Sequence, residues 1–257
     1  MNAPKAFVLQ APGTNCDIES LDALERAGAA AEPLPLARLF DRPETLFEAR
    51  ILLFPGGFAH GDDIASARIL ANQCRLRLGP KLLRFVDEEG GFVVGICNGF
   101  QALVKMGLLP RSGGELRQEA TVTYNLSGRY ECRWTRLRVE GSNCAFLPEG
   151  AEWDMPVGHG EGRVLLGPTL PADGGPFRAL RYLDEDGRPA SSHPANPNGS
   201  TAAIAGLTDL SGRVLGLMPH PDRAYLPHHH PRAPRGEAPG EPAGRAFFRS
   251  LVEAAHG

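Results

Sequence analysis

The stretch Gly91-Phe92-Val93-Val94-Gly95-Ile96-Cys97-Asn98-Gly99-Phe100-Gln101-Ala102-Leu103-Val104-Lys105-Met106-Gly107 decides how the chain is read. Up to Ile96 it is apolar and β-branched, the composition of a buried strand. From Asn98 it has helix composition and stops at Gly107. Cys97 therefore stands at a strand-to-helix turn in a G-x-C-x-G frame, the cysteine form of the nucleophile elbow. So sharp a turn crowds the backbone, and residues without Cβ fit beside the nucleophile. The turn lifts the sulfur to the carboxyl edge of a sheet and aims the first free N–H groups of the helix at it, which favours thiolate over thiol. The alternative is a buried structural cysteine, because free Cys is among the most buried residue types.

Working outward, Lys5 to Gln10 reads as a first buried strand, Pro12 to Asp17 as a tight loop, and Asp17 to Gly28 as a helix with Ile18, Leu21, Leu24 and Ala27 at helical spacing. Ala30 to Leu36 reads as a short second strand, and Pro43 to Phe47 is ambiguous. Ile51 to Phe54 is a short buried strand ending in Pro55-Gly56-Gly57-Phe58, where adjacent glycines expose backbone N–H groups. Asp63 to Leu78 reads as a helix, and a second helix opens at Gly79-Pro80 and ends at Gly90-Gly91. This alternation predicts an α/β fold with a mainly parallel open sheet flanked by helices, and a ligand at the carboxyl ends of its strands. After Pro110 the runs at 121–124, 130–140, 163–166 and 177–183 are short and strand-like. The runs 202–207 and 214–218 read as a hairpin around Asp209 to Gly212, which adds antiparallel strands to the second half. A C-terminal helix from about Ala243 to Ala255 completes one domain over residues 1–257.

The 257 residues are 42% hydrophobic and 22% charged with a net charge of −3, which gives no electrostatic case for nucleic acid or an anionic membrane. No apolar run approaches the ~20 residues of a membrane span. Five scattered cysteines without C-x-x-C argue against a disulfide framework or zinc ribbon and for a reducing compartment. Met1-Asn2-Ala3-Pro4-Lys5 shows no signal-peptide pattern, so the expectation is a cytoplasmic protein. Neither G-x-x-x-x-G-K-[ST] nor G-x-G-x-x-G occurs.

A thiol nucleophile needs a base, and the base needs a group that fixes its tautomer. Leu215 to Met218 reads as a strand ending in Pro219-His220-Pro221-Asp222-Arg223. In an extended segment held by the two prolines, His220 and Asp222 project to the same side. H-x-D alone is weak; its weight comes from standing after a strand in a chain with the elbow. The adjacent side chains of His228-His229-His230 diverge, which argues against a metal site.

These residues closely resemble the glutaminase subunits of phosphoribosylformylglycinamidine synthase, class I (triad) glutamine amidotransferases of purine biosynthesis. The shared blocks are 12–17 (PGTNCD), 55–58 with Gly61-Asp62, 95–101, 107–110, 159–162 (HGEG), 196–200 (NPNGS) and 219–223, in family order across the chain. The resemblance implies a flavodoxin-like sheet. It also implies a triad of Cys97, His220 and Asp222, an oxyanion hole from the Gly57 and Asn98 N–H groups, and substrate contacts by Gln101, Phe58 and His159. It further implies L-glutamine as substrate, a large synthetase subunit and a small bridging subunit as partners, and ATP and magnesium at the synthetase, with no cofactor or metal in this chain. Competing readings are a general cysteine hydrolase with the same elbow and a non-catalytic docking subunit. The family usually has glutamate where this chain has Asp222, shorter by roughly 1.5 Å of reach. The expectation is that the triad is kept, with the backbone drawn closer or the orienting hydrogen bond weaker or bridged by water. The Pro/His-rich stretch from Leu226 to Gly240 is expected to be a surface loop near the partner interface. Arg133-Trp134-Thr135-Arg136 reads either as a docking face or as a strand with one packed Trp.

Overall fold

The computed structural model describes residues 3–237 and 240–257. Met1 and Asn2, in the N-terminal run read above for a signal-peptide pattern, and Ala238 and Pro239, in the Pro/His-rich stretch, lie outside the described residues. The parallel half of the fold begins with β1 (Lys5–Gln10), α1 (Asp17–Arg26), β2 (Ala30–Pro35), α2 (Leu36–Asp41) and β3 (Ile51–Phe54). It continues with α3 (Arg68–Asp87), β4 (Phe92–Ile96) and α4 (Asn98–Met106). Then follow β5 (Ala120–Tyr124), β6 (Glu131–Val139), β7 (Glu152–His159), β8 (Glu161–Leu166), β9 (Arg178–Leu183), β10 (Ile204–Thr208), β11 (Val214–Leu217) and α5 (Ala243–His256).

The main sheet has the order β2-β1-β3-β4-β11-β10-β9-β6-β7. Its first five strands pair in parallel. The rest are antiparallel, including the expected β10–β11 hairpin. Strands β5 and β8 form a separate antiparallel pair. Every residue of β3 and β4 is buried, which is why both read as unbroken apolar runs rather than alternating ones. The chain leaves β1 for β2 on one side and returns to β3 on the other. The crevice beyond the carboxyl ends of β1 and β3 is therefore the ligand-binding switch point of such sheets.

Several elements differ from the sequence reading. Residues 63–87 do not form two helices meeting at Gly79-Pro80: α3 starts at Arg68 and runs through Pro80. Pro80 is exposed, and the carbonyl it leaves unbonded belongs to the exposed Leu76. The segment before α3 is non-helical because His60, Asp62, Ile64 and Ala67 all have positive φ. Strand β7 was not read at all. It passes through a bend at Gly160 into β8, which pairs with β5 and not with β7, so 159–162 is a corner where the chain leaves the main sheet for the smaller one. Ile18 is 74% exposed, and α1 instead buries Ser20, Ala23 and Leu24. Helix α5 buries Phe247, Phe248, Leu251, Val252 and Ala255 as its spacing predicts, with Phe247 edge-on to Phe146 and Trp153.

Arg111 ties the two halves together. It is buried and donates to both Asp87 carboxylate oxygens at the end of α3 (2.8 and 2.7 Å) and to Asp209 in the β10–β11 turn (2.8 Å). Arg111→Met leaves the fully buried Asp209 without its cation, and is expected to cost about 3 kcal/mol in a urea denaturation series.

Candidate active site

Glycines build the elbow. A Cβ on Gly99 would lie 1.9 Å from the Phe54 carbonyl oxygen, and one on Gly95 would lie 2.7 Å from the Gly99 carbonyl carbon. With both bare, α4 starts directly against β3 and β4. Cys97 is forced to φ 50°, ψ −102°, a conformation that costs a non-glycine residue about 1–3 kcal/mol. It is held there by its N–H, which donates to the Leu217 carbonyl of β11 (2.8 Å). The Cys97 sulfur is nearly buried and lies 3.7 Å from the Gly158 carbonyl.

Strand β11 pairs in parallel with β4, with Leu217 opposite Ile96, so the segment after it emerges beside Cys97. The His220 N–H donates to Pro156 of the edge strand β7 (2.8 Å). Gly56 leaves room for the imidazole, since a Cβ there would sit 2.7 Å from His220 Cε1. His220 Nδ1 is 3.1 Å from Asp222 Oδ1, and Ser20 Oγ donates to the other oxygen (3.2 Å). The shorter aspartate reaches directly, but not through an extended segment: Pro221–Arg223 is a 3-10 turn. Gly244 of α5 packs so tightly on this turn that a Cβ would lie 1.9 Å from the Pro221 carbonyl oxygen. With Nδ1 engaged by Asp222, the remaining ring nitrogen serves Cys97. Burial favours the neutral imidazole, but Asp222 and the Cys97 sulfur outweigh it and hold His220 above the ordinary histidine range.

Gly57 lines the same cavity as Cys97, and Asn98 follows Cys97 directly in the chain. Asn98 is the first residue of α4, where the N–H has no carbonyl one turn earlier. Gly57 has φ 138°, and a Cβ there would lie 2.7 Å from the Asn15 nitrogen. It is bridged to Thr14, so the loops after β1 and β3 support one another across the switch point. The neighbouring Phe58 N–H donates to the Gly13 carbonyl (3.0 Å). Gly57→Ala therefore displaces the loop. The glutamine hydrolysis that the resemblance implies, measured as glutamate release, is expected to fall about a hundredfold.

A cavity of about 70 Å³ joins these groups, and Gln101, Phe58 and His159 line it, as do Cys97, His220 and Gly57. Gln101 accepts from Asn98 Nδ2 (3.0 Å) and donates to the Glu161 carbonyl. His159 Nδ1 faces Asn125 Oδ1 (3.0 Å), which also accepts from the Gly162 N–H (3.0 Å). Asn125 thus fixes the proton on Nδ1, and the buried His159 Nε2 has no partner among the described residues. Burial and the nearby His220 push the His159 pKa down to about 4, so the ring is neutral at pH 7 and Nε2 is an acceptor.

Sequence reasoning missed Ser20, Cys16, Tyr130 and Arg223. Cys16 and Arg223 line the cavity, Arg223 donates to the Cys16 sulfur (3.0 Å), and Tyr130 stands at the mouth. Cys16, His220 and Asp222 also place ligand-type atoms within 4.8 Å of one another. Only the block 12–17 carried a signal for Cys16. The histidines at 228–230 do not all diverge as expected: the His228 and His229 rings pack edge-on with centroids 5.0 Å apart, while His230 Nε2 meets Asp154 (3.3 Å) and His229 Nδ1 accepts from the Leu226 N–H (3.4 Å). Trp134 is half-buried and edge-on to His230, with ring centroids 5.0 Å apart, so the described part of the Pro/His-rich stretch covers β6 and β7.

A sulfur nucleophile, an oriented imidazole and two backbone donors make up the equipment for acyl transfer through a thioester. A family profile described as a CobB/CobQ-like glutamine amidotransferase domain matches residues 3–253, and the chain belongs to that family. More particularly, it is 45% identical over 98% of its length, and 98% of the relative's, to phosphoribosylformylglycinamidine synthase subunit PurQ of Dehalococcoides mccartyi. It is 34% identical over 86% of its length, and 82% of the relative's, to the subunit of the same name from Methanococcus maripaludis. Among solved structures, a chain of the PurLQS structure from Thermotoga maritima superimposes with TM-score 0.73 at 29% identity, covering 98% of both chains. A glutamine amidotransferase from the same organism shares the fold at TM-score 0.57 and 13% identity.

Proposed function

We propose that this chain is the glutaminase subunit of phosphoribosylformylglycinamidine synthase. The observation that carries it is a cavity lined by Cys97, His220 and Gly57, with Asp222 3.1 Å from the His220 ring and Asn98 following Cys97 at the start of α4, in a chain 45% identical to a PurQ subunit along nearly its whole length. Cys97 attacks the side-chain amide carbon of L-glutamine. The Gly57 and Asn98 N–H groups take the charge on the oxygen. His220, oriented by Asp222, gives its proton to the departing nitrogen, and ammonia leaves. The γ-glutamyl group stays on sulfur until water, deprotonated by His220, releases glutamate and the free thiol. His159 Nε2 accepts an N–H of the bound glutamine, Gln101 contacts its backbone groups, and Phe58 forms a wall of the pocket.

The ammonia passes to the large synthetase subunit, which converts formylglycinamide ribonucleotide to its amidine, with a small bridging subunit completing the complex. ATP and magnesium are assigned to the synthetase, because this chain supplies nucleophile, base and orienting group from its own side chains. Among the described residues no helix is long and apolar enough to cross a membrane. A cytoplasmic complex is part of this proposal. The test combines the purified chain with its synthetase partners, glutamine, formylglycinamide ribonucleotide and ATP. Glutamate and amidine are expected to form in equal amounts. Cleavage of unrelated amides without glutamine turnover would support the general hydrolase, and partner binding without glutamate release would support a docking subunit.

A further inference from the structure

We propose that Lys105 is a positioning residue for glutamine, acting through Glu161 and Ser66 to hold the far wall of the substrate pocket. This rests on the glutaminase reading above. Asn98, Gln101 and Lys105 share one face of α4, and all three are buried. That face meets the segment 58–67 and the β7–β8 corner. The Lys105 ammonium donates to the Ser66 carbonyl and pairs with Glu161 Oε2 (3.5 Å), while the Ser66 N–H donates to Glu161 Oε1 (3.1 Å). Ser66 and Glu161 both line the cavity that holds Cys97, and Lys105, outside the lining, bonds to both of them.

The segment needs such a clamp. Four of its non-glycine residues, His60, Asp62, Ile64 and Ala67, sit at positive φ between 53° and 74°. Each is disfavoured for an L side chain, so the conformation persists only where surrounding contacts impose it. Two contacts do so, linked through Asp62, whose Oδ1 also accepts from the Ala67 N–H (2.9 Å). Asn98 holds the near end, where its Oδ1 accepts from the Ala59 N–H (3.0 Å) and its Nδ2 donates to Asp62 (2.8 Å). Lys105 holds the far end at Ser66. The near end is two residues from the Gly57 oxyanion donor, whereas the far end only shapes the pocket.

This division predicts a split in the kinetics. In the assembled synthase, Lys105→Met keeps the side-chain length and removes the charge. KM for glutamine should rise about tenfold or more, the usual effect of losing charge-assisted hydrogen bonds, while kcat changes less than about threefold. Glu161→Gln should show the same split. The double variant should be no worse than the poorer single variant, because both break one clamp. Alkylation of Cys97 by iodoacetamide should stay within about twofold of the unsubstituted protein, which shows the elbow intact. An unchanged KM in Lys105→Met would overturn the proposal, as would additive losses, or a fall in kcat and alkylation together, which is the mark of general unfolding. Absence of glutamate release from the unsubstituted complex would instead contradict the glutaminase reading itself.

Discussion

Cys97→Ala should reduce glutamate release by the synthase to background, a loss on the order of a million-fold. Nothing else in the cavity can replace it. Among the described residues Cys16 is the only other sulfur lining the pocket, and burial followed by the nearby Asp222 raises its pKa well above the ordinary thiol range, so it remains a neutral thiol. Alanine also fits the site: the neighbouring glycines already provide the clearance, and the N–H bond to Leu217 does not involve the side chain. The variant should therefore fold and dock. Supplied with an ammonium salt in place of glutamine, its complex should still form amidine. Residual glutamine hydrolysis above background would assign the nucleophile elsewhere.

Asp222→Asn should lower glutamine turnover about a thousandfold or more, by analogy with loss of the orienting carboxylate in serine triads. An asparagine amide placed with its NH₂ towards His220 Nδ1 selects the wrong tautomer and gives up the charge that keeps the imidazolium stable. Ser20, which now donates to the carboxylate, fits the amide oxygen equally well and does not correct this. The substitution also changes stability with pH. His220 is held above its ordinary pKa in the folded protein, so its protonation stabilises the fold fully below about pH 6.5. That contribution is lost as pH rises through the folded value. Asp222→Asn should thus cost more stability at pH 6 than at pH 9, read from urea midpoints at the two pH values. An equal cost at both would show that Asp222 does not hold the His220 proton.

Much of this site was legible in the sequence, for a physical reason. The elbow, the two-glycine loop and the PHPD segment each compress a backbone requirement into a few residues, and glycine or proline is the only solution at those points. The parallel half was legible because strands buried on both faces leave unbroken apolar runs. What escaped was tertiary. Strand β7 carries Pro156 and alternating exposure, and Pro156 is tolerated because β7 is the sheet edge, where its carbonyl receives the His220 N–H. Pro80 looked like a helix start because the solvent that tolerates it inside α3 is not written in sequence. Ser20 is buried on a helix whose apolar spacing pointed to Ile18 instead, because its hydroxyl is needed by a carboxylate 202 positions away. Lys105 reads as a solvated charge on a helix. Only the fold shows it under a loop of four left-handed residues.

The most direct measurement is the mass of the peptide containing Cys97 after acid quenching of the assembled synthase during glutamine turnover. The mechanism predicts a fraction of that peptide heavier by one γ-glutamyl group, labile to mild base and absent when glutamine is omitted. Rapid glutamate release with no adduct on Cys97, under conditions where a thioester standard survives the quench, would contradict covalent catalysis at the elbow.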